Sequence, residues 1–600
     1  MAFHHTSRKQ DLAHAWNVQR SPLFAPLLIA AITFGVAGWA ATSGAQTGLP
    51  TDAQPLCDDG AEIKSWFDQN GFVEPPDNRH FDEARAAGGT VRNSQEGCIF
   101  FETSARMFLW LTSTYRQLGD EPVYMYDSPL FYRVGPPDKH GYRPLIKNHG
   151  MRIVNVDDKS ARSFGPSISQ LGPVNVPVVF DEEGGMHAFV RRVINRNGGL
   201  DACSNSVPPA RDHSRTGTSS ARLSCPGESF RAPGIPATAS RARLYADGGQ
   251  PIRTDIVNGI TVYFDSNGNA IPSTPGQVCD KILISRDNRI VYYNMSVNDV
   301  YAYFVSGTKQ NKFHFKRFPT ATAVGKTDDI TEISDFAKSH HAELLDKKAL
   351  AIELKTAWIE IDDGDKERFV TTWATVPTFD RSDATHWMAD GWKKVHLGLV
   401  GMHIVFSARN NPAMIWATFE HVDNAPDEEY EYCQRSEDPD CKRVTQGRDA
   451  STNWLFSTNN SLSASNQQLA YLYKGDICGY DNNAIGANNI LRKNAWGSAI
   501  GSHVAPQQNT EIINVNGNVL DSLPAGDVRR HYVLIGSMWT HGGFPPGAPS
   551  LGGQRLANTT METFFQESNC FECHRDKTAT VKMSHIFVHL QSLFARRRTN

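Results

Sequence analysis

Beyond Ala41 the chain has no apolar run long enough to cross a bilayer, which takes about 20 predominantly apolar residues in succession. It also lacks a dominant charge. Sixty Lys and Arg stand against 64 Asp and Glu, a formal net charge of −4, so neither a nucleic-acid partner nor an anionic membrane surface is expected. The signatures of several common chemistries are absent as well. There is no His-Glu-x-x-His and no Gly-x-Ser-x-Gly, which removes the usual zinc-protease and hydrolase motifs. Gly325-Lys326-Thr327 resembles the end of a phosphate loop, but Thr320 stands where its first glycine is required, and the stretch reads as an ordinary loop.

What is present begins with an export leader. Arg8, Lys9 and Arg20 precede an apolar stretch from Leu23 to Ala41, and the small residues Ser43-Gly44-Ala45 follow. This is the order of a cleavable secretory signal over residues 1–45, with Gln46 as the first mature residue. An uncleaved amino-terminal anchor is the rival, but Pro26, Gly35 and Gly38 interrupt the apolar stretch. No twin-Arg pattern occurs. The mature chain is expected to be soluble, or tethered at most by its front end.

Near the other end stands Cys570-Phe571-Glu572-Cys573-His574. Two thiols at this spacing can add to the two vinyl groups of one porphyrin, and the adjoining imidazole then becomes the proximal iron ligand. Chance placement of ten cysteines and 21 histidines in 600 residues would give the pattern only about 0.006 times per chain. Three other readings compete. A thioredoxin-type pair would normally open a helix in a βαβ unit, half of a zinc site would recruit His585 and His589, and a Cys570–Cys573 disulfide would close a short, strained loop.

The other eight cysteines are Cys57, Cys98, Cys203, Cys225, Cys279, Cys433, Cys441 and Cys478. An even set in an exported chain predicts up to four disulfides and an oxidising compartment. The local pairings expected are Cys433 with Cys441, Cys203 with Cys225, and Cys57 with Cys98. Covalent haem attachment of this kind is typical of exported bacterial proteins, so the periplasm is the expected location.

Hydrophobic content of 40% and charged content of 21% describe a globular body with ample core. The fold class expected is α+β, mainly antiparallel β in a sandwich or barrel-like assembly, ending in a short haem c segment. Its divisions are 46–320, an α+β region with hairpins and an exposed polar insertion at 203–243; 321–553, β-rich; and 554–600, haem attachment. Helices are predicted from Glu102 to Leu111 and from Asp328 to His341. Strands are predicted at Val178 to Phe180, Val262 to Phe264, Leu350 to Ile361, Phe369 to Val376, Val395 to Phe406, Met414 to Phe419 and His531 to Trp539. His403, His421 and His541 lie in or beside these strands and read as hydrogen-bonded scaffold residues rather than ligands.

Only Arg575 to Asn600 follow the motif, too little chain to enclose a porphyrin, so the β-rich body and Leu556 to Gln566 must supply much of the pocket. Met583, His585 or no residue at all could take the sixth iron position. A thioether would raise the potential relative to a second imidazole, and an open position would admit small ligands.

The stretches Leu556-Ala557-Asn558-Thr559-Thr560-Met561-Glu562-Thr563-Phe564, Asn569 to His574 and Ser584-His585-Ile586-Phe587 resemble the ending of an uncharacterised family of large exported bacterial c-type cytochrome-like proteins. Arg106 to Ser113, Val297 to Phe304 and Met414 to His421 are similar to other blocks of that family, so the likeness covers most of the mature chain. It implies one covalent haem c held by Cys570, Cys573 and His574, and it favours His585 over Met583 as the second metal ligand. The family lends no substrate. The function expected is a periplasmic monohaem cytochrome carrying single electrons to or from a redox partner protein. The rivals are a haem enzyme or sensor with an open distal site, and a binding module with a structural haem.

Overall fold

A computed structural model describes residues 48–81, 94–148 and 281–594 apart from short gaps, and between 178 and 264 only the backbone of five short strands. The leader, the 203–243 insertion, Cys203, Cys225 and Cys279 lie outside the described residues.

Twelve strands form one antiparallel sheet. In chain order they are β1 Phe131–Val134, β2 Leu145–Lys147, β3 Lys281–Ile282, β4 Val291–Asn298, β5 Ile352–Glu360, β6 Thr371–Asp383, β7 His386–Ala408, β8 Asn411–His421, β9 Ala470–Tyr473, β10 Asp476–Gly479, β11 Tyr532–Thr540 and β12 Ser550–Gly552. The order β3-β9-β10-β7-β5-β4-β1-β2 runs across it, β6 and β8 also pair with β7, and β8 leads on to β11 and β12. The organising element is β7, whose 23 residues pair with β6 along the first part and with β5 and β8 along the second. The sheet is not closed into a barrel, which corrects that alternative. Its outer strands β2, β3 and β12 are two or three residues long, and such short edges end a sheet instead of recruiting another strand.

The strands predicted at Val178 to Phe180 and Val262 to Phe264 are present as Val178–Phe180 and Ile260–Phe264, within a separate five-stranded sheet. Strand β4 pairs with β5 along its length, and residues 47–600 form one compact unit.

Three helices pack on the sheet, α1 Ser94–Leu111, α2 Asp299–Lys309 and α4 Ala505–Ser522, and α3 Asp329–Ser339 packs on α2. The start of α3 is set by Asp328, whose side chain accepts from the Thr331 N–H at 2.7 Å, and Ile330, Ile333, Phe336 and Ala337 form its buried stripe. The period of two in β8 then separates two environments. Phe419 meets α1 through a stack with Phe108 at 4.4 Å, whereas Trp416, Thr418 and Glu420 turn toward the carboxy-terminal segment. Disulfides join Cys57 to Cys98 and Cys433 to Cys441, two of the three expected pairings, and the third lies outside the described residues. Among the described residues no helix is long and apolar enough to cross a membrane.

Candidate functional site

The segment before the Cys-x-x-Cys turn is fastened to the sheet by hydrogen bonds from its own polar side chains. Asn558 Nδ2 donates to Thr418 Oγ1 at 2.8 Å and to the Phe419 carbonyl at 3.0 Å. The Thr559 N–H donates to Glu420 Oε1 at 2.7 Å, and Tyr293 donates its hydroxyl to the Thr560 carbonyl at 2.6 Å. Glu562 accepts from the Asn558 N–H at 2.8 Å and meets His403 Nε2 at 3.0 Å. The chain therefore reaches Cys570 from a fixed platform.

Cys570–Cys573 is a one-turn helix, α5, begun by Asn569, whose side chain accepts from the Glu572 N–H at 3.0 Å, and ended by His574, whose N–H donates to the Cys570 carbonyl at 2.9 Å. The two thiols are not bridged to each other. Burial, helped by the charge of Glu562, pushes the Cys570 thiol well above its ordinary value. A dithiol oxidoreductase needs the opposite, an attacking thiol held low, and this turn follows an antiparallel sheet, not a βαβ unit. Among the described residues no three His, Cys, Asp or Glu side chains are gathered to hold a metal ion, so Cys570, Cys573, His585 and His589 do not assemble the zinc alternative.

His574 is buried and fixed on three sides. Its Nδ1–H donates to the Met583 carbonyl at 2.6 Å. One neighbour is the Trp416 ring at 4.3 Å, and another is the His585 ring, stacked at 4.0 Å and 17°. Burial pushes the His574 imidazole well below its ordinary value, and His585 nearby acts in the same direction. The ring is thus neutral, with its proton on Nδ1 and its lone pair on Nε2. Among the described residues nothing hydrogen-bonds to Nε2. A neutral imidazole whose other nitrogen is held by a backbone carbonyl is the form that binds metals. Cys570, Cys573 and His574 fit covalent haem in this respect.

His585 fits the second axial position less well. Two imidazoles bound end-on to opposite sides of one metal, with metal–nitrogen bonds of about 2 Å, hold their centroids roughly 6 Å apart. The observed pair is closer and lies face to face. Burial lowers the His585 imidazole to about 4, while its ring donates to the Cys573 carbonyl. The structure therefore brings the two histidines together, but side by side.

A row of polar side chains across the sheet escaped sequence reasoning. Glu353 and Lys355 alternate on β5, and Lys355 lies directly opposite His403 on β7. Glu353 is buried against Ser584 Oγ at 2.6 Å and the Tyr301 hydroxyl at 3.2 Å, and Ser584 also meets that hydroxyl at 2.7 Å. Burial raises the Glu353 carboxyl to about 7, against the two hydrogen bonds that lower it. The signal was in the sequence: a Glu and a Lys two residues apart within one strand must share one face. His403, read as a scaffold residue, is hydrogen-bonded to Glu562. His421 is fully buried, held by the Arg368 carbonyl at 2.9 Å, and His541 lies outside the described residues.

No family model, no curated protein and no solved structure matches this chain.

Proposed function

We propose that this is an exported monohaem c-type cytochrome that passes single electrons to or from a partner protein. Cys570 and Cys573 are the thioether anchors and His574 is an axial ligand. One observation carries the reading: two unbridged thiols are followed at once by a buried imidazole whose Nδ1–H is tied to a carbonyl, leaving Nε2 to bind a metal. Bound haem would supply a one-electron iron couple whose potential is set by axial ligation, burial and hydrogen bonding. The protein's own share is to keep that imidazole neutral and oriented. The Met583 carbonyl makes Nε2 more basic, and Trp416, Phe571 and Met583 line the site with apolar surface. The periplasmic location rests on the leader and on two disulfides that persist only under oxidising conditions.

The test is a covalent-haem stain on a denaturing gel, with mass spectrometry of protein from periplasmic extract. The reading expects one tetrapyrrole retained through denaturation, lost from the denatured chain of a Cys570→Ser, Cys573→Ser variant. His574→Ala should lose the wild-type iron spectrum, and a chain of unmodified mass overturns the reading.

A second reading, a haem enzyme or sensor that binds a small molecule at the iron, is favoured by the position of His585 beside His574 instead of across from it.

A further inference from the structure

The following rests on the haem reading above. We propose that Met583 and His585 are positioning residues on the near side of His574, and that the far side of the metal is open to a small exogenous ligand.

The reach of Met583 is the first reason. Its carbonyl stands 2.6 Å from His574 Nδ1, so a metal on Nε2 lies beyond the ring, and a thioether on its far side would stand roughly 9 Å from that carbonyl, taking metal–ligand bonds of about 2.0 to 2.3 Å. A methionine sulfur extends only about 5 Å from its own backbone. His585 is excluded by orientation: its ring covers a face of the His574 ring, and it donates to the Cys573 carbonyl at the end of the thiol-bearing turn.

The segment between these residues is also not free to swing across. Ser584 is fully buried and bound to Glu353 on β5 and to Tyr301 on α2. The Phe587 N–H donates to Ser584 Oγ at 3.2 Å, and the Phe587 ring packs against Tyr301, Phe304 and Phe318. Further on, the His589 carbonyl accepts from the Arg143 N–H at 2.7 Å. Moving His585 to the opposite side of a metal would break the contacts of a fully buried serine with two separate elements. The arrangement resembles a clamp that fixes the plane of His574 from its Nδ1 edge and one face.

The test uses the full-length protein purified from periplasm. Its covalent haem content is measured first, so that failure of the functional reading, a chain without haem on which the proposal falls too, is told apart from failure of the clamp on loaded protein. On loaded protein, carbon monoxide is added to the ferrous form of wild type, His585→Phe, His585→Ala and Met583→Leu. Wild type should shift its spectrum on mixing, and His585→Phe and Met583→Leu should keep both the resting spectrum and the carbon monoxide affinity within about threefold. Losing the flat ring in His585→Ala should shift the iron–histidine stretching band in resonance Raman, and His585→Phe should restore it. Two outcomes overturn the proposal: wild type that ignores carbon monoxide, or a low-spin wild-type spectrum that turns high-spin and reactive only when His585 or Met583 is replaced.

Discussion

Gly401, in the middle of β7, is where the absence of a side chain admits the segment that leads to the Cys-x-x-Cys turn. A Cβ there would stand 2.3 Å from Thr560 Oγ1 and 2.9 Å from Asn558 Oδ1, and both residues are buried in the bonds that dock this segment. Gly401→Val should cost about 1 to 3 kcal/mol, the usual range for overpacking, and should lower the fraction of chain carrying covalent haem; a variant with wild-type melting and loading would show that the segment yields freely. Glu511 tests a different single-residue effect. It is buried on α4 beside Gln507, and burial raises its carboxyl to about 8. Between the ordinary glutamate value near 4.5 and about 8 the folded chain holds a proton that the unfolded chain releases. The contribution is therefore full below 4.5 and declines as pH rises through that window, by up to about 1.4 kcal/mol per pH unit. Glu511→Gln should flatten the fall in melting temperature between pH 5 and 8, and an unchanged slope would place the titration elsewhere.

Among the elements, those whose own residues carry the folding signal were legible. The β-rich runs of β5, β8 and β11 and the buried stripe of α3 match the stretches predicted at Leu350 to Ile361, Met414 to Phe419, His531 to Trp539 and Asp328 to His341. The strand predicted at Val395 to Phe406 is the second half of β7, because the polar first half pairs only with β6 and β10. Helix α4 could not be read this way. It carries Asn509, Asn514, Asn516 and Asn518, poor helix formers on their own, and each spends its amide on a distant backbone. Asn516 bonds both polar groups of Leu534, Asn514 accepts from Leu56 and Cys57, Asn509 donates to Glu431 and Asn518 to Cys57. The cluster of Cys570, Cys573 and His574 was equally plain from spacing, but the face-to-face His574 and His585 depend on where Ser584 is tied, which no local pattern encodes. The same holds for Arg492. It bonds Glu420 at 2.7 Å and also Asp427, and Glu420 in turn accepts from both Thr559 and Asn424. Removing the guanidinium leaves buried carboxylates without a counter-charge, so Arg492→Met should cost about 3 to 5 kcal/mol. Adding Glu420→Gln should recover part of that loss, and if the double variant melts lower than the single one the ion pair is not what holds this corner.

At the scale of the whole molecule the site is assembled from residues far apart along the second half of the chain, from Tyr293 and Tyr301 through Glu353, Gly401 and Trp416 to His585. Its geometry therefore depends on global stability, and the disulfides bear on that stability unequally. Cys57–Cys98 closes a separation of 41 residues and Cys433–Cys441 one of eight. In the chain-entropy account the longer loop contributes about 4 kcal/mol and the shorter about 2.5 kcal/mol. The longer bridge also ties the segment before α1 to α1 itself, beside the asparagines of α4 that bond Leu56 and Cys57. Replacing Cys57 and Cys98 by Ala should lower the melting temperature more than replacing Cys433 and Cys441, and mild reductant should erase the difference between wild type and either variant. Because α1 packs behind β8, whose other face presents Trp416 to His574, the Cys57→Ala, Cys98→Ala variant, if it carries the proposed haem, should also lose its wild-type iron spectrum at a lower temperature than the other pair does. Equal spectral melting curves for the two variants would mean that the sheet holds the site without help from the bridge.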